Sequence, residues 1–445
     1  MAHSQKSIKD HARGRNQPNI DNEAIAQQLE DLIKPSVYQQ LAYYRSLGMR
    51  ERILSLPFMV AVVLSLLWRQ VPSVRELNRM LAREDLLWAK ATKVSQQALS
   101  QRFLTFPAQV FERVLKDLLP QLQKSWQQRQ KRPHPRTVTQ AKQHYEHLWI
   151  IDASTLEALF RKLKSLETVP LGQLAGRICA VLDLETHFPV ETWFSSQPYH
   201  HETHFTDSVL GILPQKTLLL IDRGFWNFGF FEQIVQAQSD LITRYKKGAK
   251  YKTLRTLSHS NHHRDQRIRL GRGYQGNPIL EMRLVEVRHG STWYRYLTSV
   301  LDPEILPPFA IADLYARRWR IEDTFKTLKH LLGLSYLWTG SMNGIQLQLW
   351  ATWLFYVVLI DLSDQVAEQL TLPFERISVE MVFRGLYHFS QAEHRGETSD
   401  PVAYLTAPEN QDLGVIKALR RKRQKPPVDL SPFPGQKGLT SAAFS

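Results

Sequence analysis

From residue 148 onward the chain stops reading as helices and becomes a series of short, β-rich apolar runs, and that change limits the folds open to it. LWIID (148–152), RICAVLDL (177–184) and PVETWF (189–194) follow one another with turns between them. HETHFTDSVLGIL (201–213) has helical spacing, KTLLLID (216–222) is a further buried strand, FWNFGFFEQIVQAQ (225–238) is helical, and DLITRYK (240–246) is a fifth strand. The order strand, strand, strand, helix, strand, helix, strand predicts an α/β fold with a mixed sheet and helices on its faces.

Upstream the grammar is helical. EAIAQQLEDLI (23–33), SVRELNRMLA (73–82), QALSQRFL (97–104) and FPAQVFERVLKDLLPQL (106–122) all place apolar residues three and four apart. Ser95 is predicted to cap a short helix displaying Gln96, Gln97, Gln101 and Arg102. Such side chains suit base edges and phosphates, and a solvated polar face has the same pattern. Gln97 and Arg102 are the DNA-contact candidates here. The basic, proline-marked stretch 123–144 reads as a linker. Residues 247–300, rich in Arg, Lys, His and Gly, contain EMRLVEVRH (281–289) and TWYRYLTSV (292–300) and read as a β-rich insertion. Helices resume near 308 and run past 370, and the end carries the basic run IKALRRKRQK (416–425). The expected division is a helical N-terminal region with its basic linker (1–140), the first part of an α/β core (141–246), the insertion (247–307), the second part of the core (308–370), and a C-terminal helical region with a basic tail (371–445).

The 445 residues include 57 Lys and Arg against 42 Asp and Glu, a net charge of +15 that favours a polyanionic partner, of which nucleic acid is the usual one. A single cysteine, Cys179 in ICAVLDL, excludes an intramolecular disulfide and a cysteine-rich zinc site, and its apolar neighbours predict burial. Two apolar runs, 54–68 and 349–360, are shorter than the ~20 residues of a spanning helix. They are expected to be core helices, without a membrane. A polar N-terminus without a secretory pattern leads to the expectation of a cytoplasmic protein.

Two predicted strands end in an acid, Asp152 in LWIIDAS and Asp222 in LLLIDRG, where open α/β sheets place their ligands. Asp183 in AVLDL precedes a turn and is expected to start it. A third acid lies in YARRWRIEDTFKTLK (315–329). Treated as one helix, residues 314–332 bring Tyr315, Arg318, Glu322 and Lys329 within a sector of about 60°, beside an apolar sector of Leu314, Ile321, Phe325, Leu328 and Leu332. Three carboxylates from separate elements can bind two Mg²⁺ or Mn²⁺ ions, and such a pair clamps the oxygens of an in-line phosphoryl displacement. GRGYQG (271–276) fits a phosphate-loop spacing only literally, since Asn277-Pro278 follow and no helix opens there. His200 and His204 in YHHETHF lack the zinc-peptidase spacing, and HSNHH (259–263) reads as a loop or a DNA contact.

Asp152, Asp222 in IDRGFW, and Tyr315, Arg318, Glu322 and Lys329 in the pattern Y-x2-R-x3-E-x6-K together resemble the DDE transposases of bacterial insertion sequences, more narrowly the insertion-sequence-four family. The intervals between the acids are 69 and 99 residues, and the resemblance covers roughly 50–365. The first block reads Asp-Ala-Ser where that family often has Asp-Gly-Ser or Asp-Gly-Thr. The resemblance implies a ribonuclease H-like mixed sheet interrupted by a β-rich insertion, with a helical N-terminal domain that binds DNA. It also implies metal-dependent cut-and-paste transposition by a homodimer on double-stranded DNA, in the bacterial cytoplasm at the nucleoid. Asp152, Asp222 and Glu322 would hold two Mg²⁺ or Mn²⁺ ions. Tyr315, Arg318 and Lys329 would grip phosphates, with Lys326 and Arg223 as neighbouring DNA contacts. Trp293, in STWYRY, is the candidate to stack on a flipped base, with Trp226 as its rival. A DNA-binding protein of this fold without the chemistry, and a metal-dependent endonuclease of this fold, are the alternatives.

Overall fold

The computed structural model describes residues 23–69, 71, 73–155, 176–197, 200–271, 276–332, 334 and 341–418. The run GRGYQG lies partly outside the described residues, and the basic tail beyond residue 418 wholly so. The chain divides into two compact units, one formed by residues 1–125, 327–362 and 379–413, the other by 126–326, 363–378 and 414–445.

The first unit is helical. Ser73 caps the helix Val74–Leu81 by accepting the Glu76 N–H, and Ser95 caps Gln96–Thr105 by accepting the Ala98 N–H, as its position predicts. The helix Leu56–Trp68 is apolar on nearly every side and buried accordingly. Trp68, Phe355 and Phe383 form an aromatic triangle with centroids 5.6–6.0 Å apart. The helix Met342–Leu370 has 29 residues, which corrects the expectation of a short apolar helix at 349–360. Its length alone would suffice to cross a membrane, but 94% of its apolar window is buried inside the protein. Burial, not shortness, makes it a core helix.

The second unit is built on one nine-stranded sheet. Its strands are β1 (His147–Thr155), β2 (Arg177–Asp183), β3 (Pro189–Ser195), β4 (Thr217–Ile221), β5 (Asp240–Arg244), β6 (Tyr251–His259), β7 (His263–Leu270), β8 (Leu280–His289) and β9 (Thr292–Thr298), in the spatial order β3-β2-β1-β4-β5-β9-β8-β7-β6. The pairs β1–β4 and β4–β5 are parallel and the rest antiparallel, so the predicted mixed α/β sheet with flanking helices is present. Strands β6 to β9 extend the sheet through the β5–β9 pairing. The edge strand β6 is largely exposed and carries Lys252 and Arg255, charges that discourage edge-to-edge pairing. Trp149, Ile151, Leu219 and Ile221 face one side of the sheet and pack with Phe230, Phe231 and Ile234 of the helix Phe228–Gln236. By the two-residue alternation of a strand, Leu148, Ile150 and Asp152 face the other side.

Asp183 ends β2 and accepts the N–H groups of Glu185 and Thr186, which is the turn-starting role expected of it. Cys179 is buried in β2. The stretch 123–144 is not a solvated linker. Arg129 and Arg132 pair with Asp364 at 2.9 and 2.7 Å, and the backbone N–H groups of Gln130, Lys131 and Arg132 converge on the Glu368 carboxylate. Internal acids, rather than water, satisfy these charges.

Strands β7 and β8 share a fully buried ion pair. Arg283 on β8 makes a bidentate contact with Asp265 on β7, at 2.9 and 2.7 Å, and donates further to the carbonyls of Val300, Asp302 and Leu306. With both side chains 0% exposed, Arg283→Ala strands the Asp265 charge in the interior. The expected loss is about 3–5 kcal/mol of unfolding free energy. Urea titration checks it, and a midpoint equal to wild type would show that the pair carries no weight.

Candidate active site

Register brings the first two acids together. β1 and β4 run parallel with Ile151 opposite Ile221 as their last pair, so Asp152 and Asp222 follow side by side where that pairing stops. β4 ends there, whereas β1 does not end at Asp152 as expected but runs on to Thr155 paired with β2. Asp152 Oδ1 is fixed by the N–H of Ala153 at 2.8 Å. Asp222 leaves β4 and caps the 3₁₀ turn Arg223–Phe225, its Oδ2 accepting the Gly224 N–H at 3.2 Å. The helix Trp319–Lys326 packs on β1 and carries Glu322 in its first turn. Arg318 joins the three: its Nη1 lies 3.0 Å from Asp152 Oδ2, and its Nη2 lies 3.3 Å from Asp222 Oδ1 and 3.1 Å from Glu322 Oε1. Three acids from three elements therefore close on one guanidinium.

Residues 314–332 are not one continuous helix, in contrast to the expectation. A helix Pro308–Arg317 ends, Arg318 forms the junction, a second helix runs Trp319–Lys326, and a wider π-helical turn covers Thr327–Leu331. At the junction Arg318 is buried, 5% exposed, with its guanidinium among the three acids. Tyr315 is also buried, its ring 5.7 Å from the Arg318 guanidinium carbon, and burial pushes its phenol up to about 12. Lys329 lies beyond the change of helical register, in the π turn and in the first unit, half-buried. Tyr315, Arg318 and Glu322 keep the shared side expected of them, since Arg318 contacts both of the others, and the expected 60° sector is interrupted only before Lys329.

The remaining basic side chains of this segment are paired as well. Arg317 bridges Asp313 and Glu375, and Lys326 sits 3.6 Å from Asp323 on an exposed face. Arg223 is exposed beside Asp222. Trp293, half-buried at the start of β9, lies under Arg264 at 5.1 Å, whereas Trp226 packs among Phe228, Phe231 and Tyr245. Gln97 is exposed in the first unit. Arg102 is not displayed there: it donates to the Tyr44 hydroxyl and the Leu54 carbonyl, and packs against the rings of Tyr44 and Phe106.

One acid near this cluster is absent from the sequence reading. Glu202, in the 3₁₀ turn Glu202–Phe205, pairs with Arg177 at 2.7 Å. No motif marks it, and it was hidden in HETH, which invites a zinc reading instead. His200 and His204 do come together, their ring centroids 3.9 Å apart and their planes tilted by 37°, but His200 Nδ1 is bonded to Ser195 Oγ.

Burial pushes the Asp152 carboxyl up to about 7, against the pull of Arg318 and of the Ala153 N–H; the charges of Asp222 and Glu202 add to the rise. An unfolded aspartate titrates near 3.9, so the folded protein holds an extra proton between about pH 4 and about pH 7. The associated stability is fully present below that window and is lost as pH rises through it. Unfolding midpoints measured in chelator should fall from pH 4 to pH 7, and Asp152→Asn should flatten that slope. An equal slope in both proteins would assign it to other groups.

Among the described residues, no three His, Cys, Asp or Glu side chains come together as a ready metal-binding group. The acids instead close on Arg318. Their donor chemistry, carboxylate oxygens only, suits hard divalent cations such as Mg²⁺ or Mn²⁺, and the shared guanidinium marks a point that all three reach with positive charge between them.

Residues 150–358, a span that holds all three acids, match the family described as Transposase DDE domain. The transposase InsG for insertion sequence element IS4 of Escherichia coli (strain K12) is 23% identical over 201 residues, covering 42% of this chain and 44% of that protein. The putative transposase y4zB of Sinorhizobium fredii is 28% identical over 180 residues, covering 38% and 48%. A putative transposase for insertion sequence element IS4SA of Synechocystis is 25% identical over 164 residues, covering 36% and 45%. The chain spans a little under half the length of each of these relatives.

Proposed function

We propose that this chain, which carries a transposase DDE domain of the insertion-sequence-four type across residues 150–358, is a metal-dependent DNA transposase that cleaves at insertion-sequence ends and joins them to target DNA. The observation that carries the reading is the closure of Asp152, Asp222 and Glu322 on one guanidinium, from two neighbouring parallel strands and a helix. We read β1 to β5 with their helices as a ribonuclease H-like core, residues 247–307 as its insertion, and the N-terminal helices as the region that binds end sequences. Two protomers would act together on the two ends, on double-stranded DNA in the cytoplasm.

Asp152, Asp222 and Glu322 would hold Mg²⁺ or Mn²⁺. Two such ions supply charge stabilisation for the attacking and leaving oxygens of an in-line displacement at phosphorus. The protein's own part is to set three carboxylates on rigid elements and to leave the nucleophile to water or a DNA 3′-hydroxyl. No protein nucleophile is needed, in keeping with the burial of Cys179. Arg318 presents a planar, multi-donor group that suits a phosphate as well as a carboxylate. The exposed Arg223 and Lys326 would meet the DNA backbone, and Trp293 would offer a ring on which a base can stack. Lys329, Tyr315 and Gln97 complete the DNA-contact assignments.

The test is incubation with duplex DNA carrying the element's own ends and Mg²⁺, for wild type and Glu322→Gln. Joined products from wild type alone support the transposase. Products that are nicked and never joined identify a metal-dependent endonuclease, and DNA binding without any cleavage identifies a binding protein of this fold.

A further inference from the structure

Glu202 is built against the turn that presents Asp222. Its Oε1 accepts from Arg177 Nη2 at 2.7 Å, and Arg177 Nη1 is held by the His200 carbonyl at 2.8 Å. Its Oε2 is buried with no hydrogen-bond partner. The carboxylate lies directly over Gly224: a Cβ at that residue would run into Glu202 Oε2 and Cδ before anything else. Gly224 does not have left-handed backbone, so the absent side chain is demanded by this close approach and not by conformation. The same Gly224 donates its N–H to Asp222 Oδ2, so the glycine is pressed by one acid and holds the other.

A purely structural ion pair has no use for an orphaned oxygen, because a buried charged acceptor without a donor is costly. The charge of Glu202 is also felt by Asp152, and Glu202 in turn feels Asp222 and Arg318. It stands within the electrostatic field of the proposed centre.

We propose that Glu202 is a fourth acid of this centre, a positioning residue whose carboxylate braces the Asp222–Phe225 turn and thereby aims Asp222, with Gly224 kept bare to admit it. The role rests on the reading of Asp222 as a site acid. It makes residues 202 and 224 one unit, and a double-mutant cycle in the full-length protein tests that directly.

Glu202→Ala and Gly224→Ala should each weaken Mn²⁺ binding, measured calorimetrically, and lower kcat for end cleavage by about 10–100-fold, with KM for DNA unchanged. Gly224→Ala acts by forcing the carboxylate aside. In the double variant the space vacated by Glu202 accepts the new methyl, so the loss should equal that of Glu202→Ala alone. Glu202→Gln keeps the bulk of the brace and should recover most of the Mn²⁺ affinity that Glu202→Ala loses, a rescue that a merely structural ion pair, dependent on its charge, would not give. Additive losses in the double variant, or Mn²⁺ affinity in Glu202→Gln no better than in Glu202→Ala, would overturn the assignment. Undiminished cleavage by Glu322→Gln would instead remove the parent reading, while the cycle in Mn²⁺ affinity still decides whether 202 and 224 act together.

Discussion

Glu322→Gln is expected to lower end cleavage by about 10³-fold or more while leaving the protein folded. The carboxylate is one of three that reach a common cation, and its charge is what a divalent ion requires of it. The stabilisation supplied by such ions to a developing charge is several kcal/mol, and each 1.36 kcal/mol is a factor of ten in rate. Stability should change little. Glu322 is 30% exposed on its side chain, so its pairing with Arg318 is partly screened, and a glutamine oxygen can still accept from Nη2. The measurement is single-turnover cleavage of an end-bearing duplex beside a thermal melt. A variant that melts like wild type and cleaves like wild type would take Glu322 out of the mechanism.

The sheet and the acids were legible because their signals are local. Five core strands show as apolar runs, Asp152 and Asp222 close two of those runs in the sequence, and parallel register brings the pair together, although β1 itself continues to Thr155. Strands β6 and β7 were less visible because they are polar on exposed faces: HRDQRIRL has an inward Asp265 where an apolar residue is expected. That aspartate is explained only by Arg283, 18 residues away, and pairing across strands leaves no trace in a periodic pattern. The segment 315–329 misled for a related reason. Its composition is helical throughout, and neither the junction at Arg318 nor the π turn at Thr327 has a proline or glycine to announce it. With Arg318 buried at the first break, the basic residues also read differently. Arg129, Arg132, Arg102, Arg317 and Arg318 all turn to internal partners, so much of the charge that looked available for a polyanion is already engaged. Glu202 escaped for want of any spacing rule, since its tie to Gly224 exists only in three dimensions.

Arg318→Ala should have the second large effect, and its sign should depend on divalent metal. In chelator, the guanidinium is the positive group common to Asp152, Asp222 and Glu322, and removing it leaves the buried Asp152 facing like charges. Loss of one partner from a buried ion pair costs about 3–5 kcal/mol, so the melting temperature should fall by many degrees. Two conditions should restore much of it. Lowering the pH toward 5 protonates Asp152, whose carboxyl already stands high, and millimolar Mn²⁺ supplies the missing positive charge to the same oxygens. Mn²⁺ should also bind the variant more tightly than wild type, because in wild type the guanidinium competes for those carboxylates. Arg318→Lys should fall between, since an ammonium supplies the charge but cannot span three acids as a planar fork does. A metal-free Arg318→Ala protein as stable as wild type, or one insensitive to Mn²⁺, would mean that the guanidinium is a bystander and that the three acids do not form one charged centre.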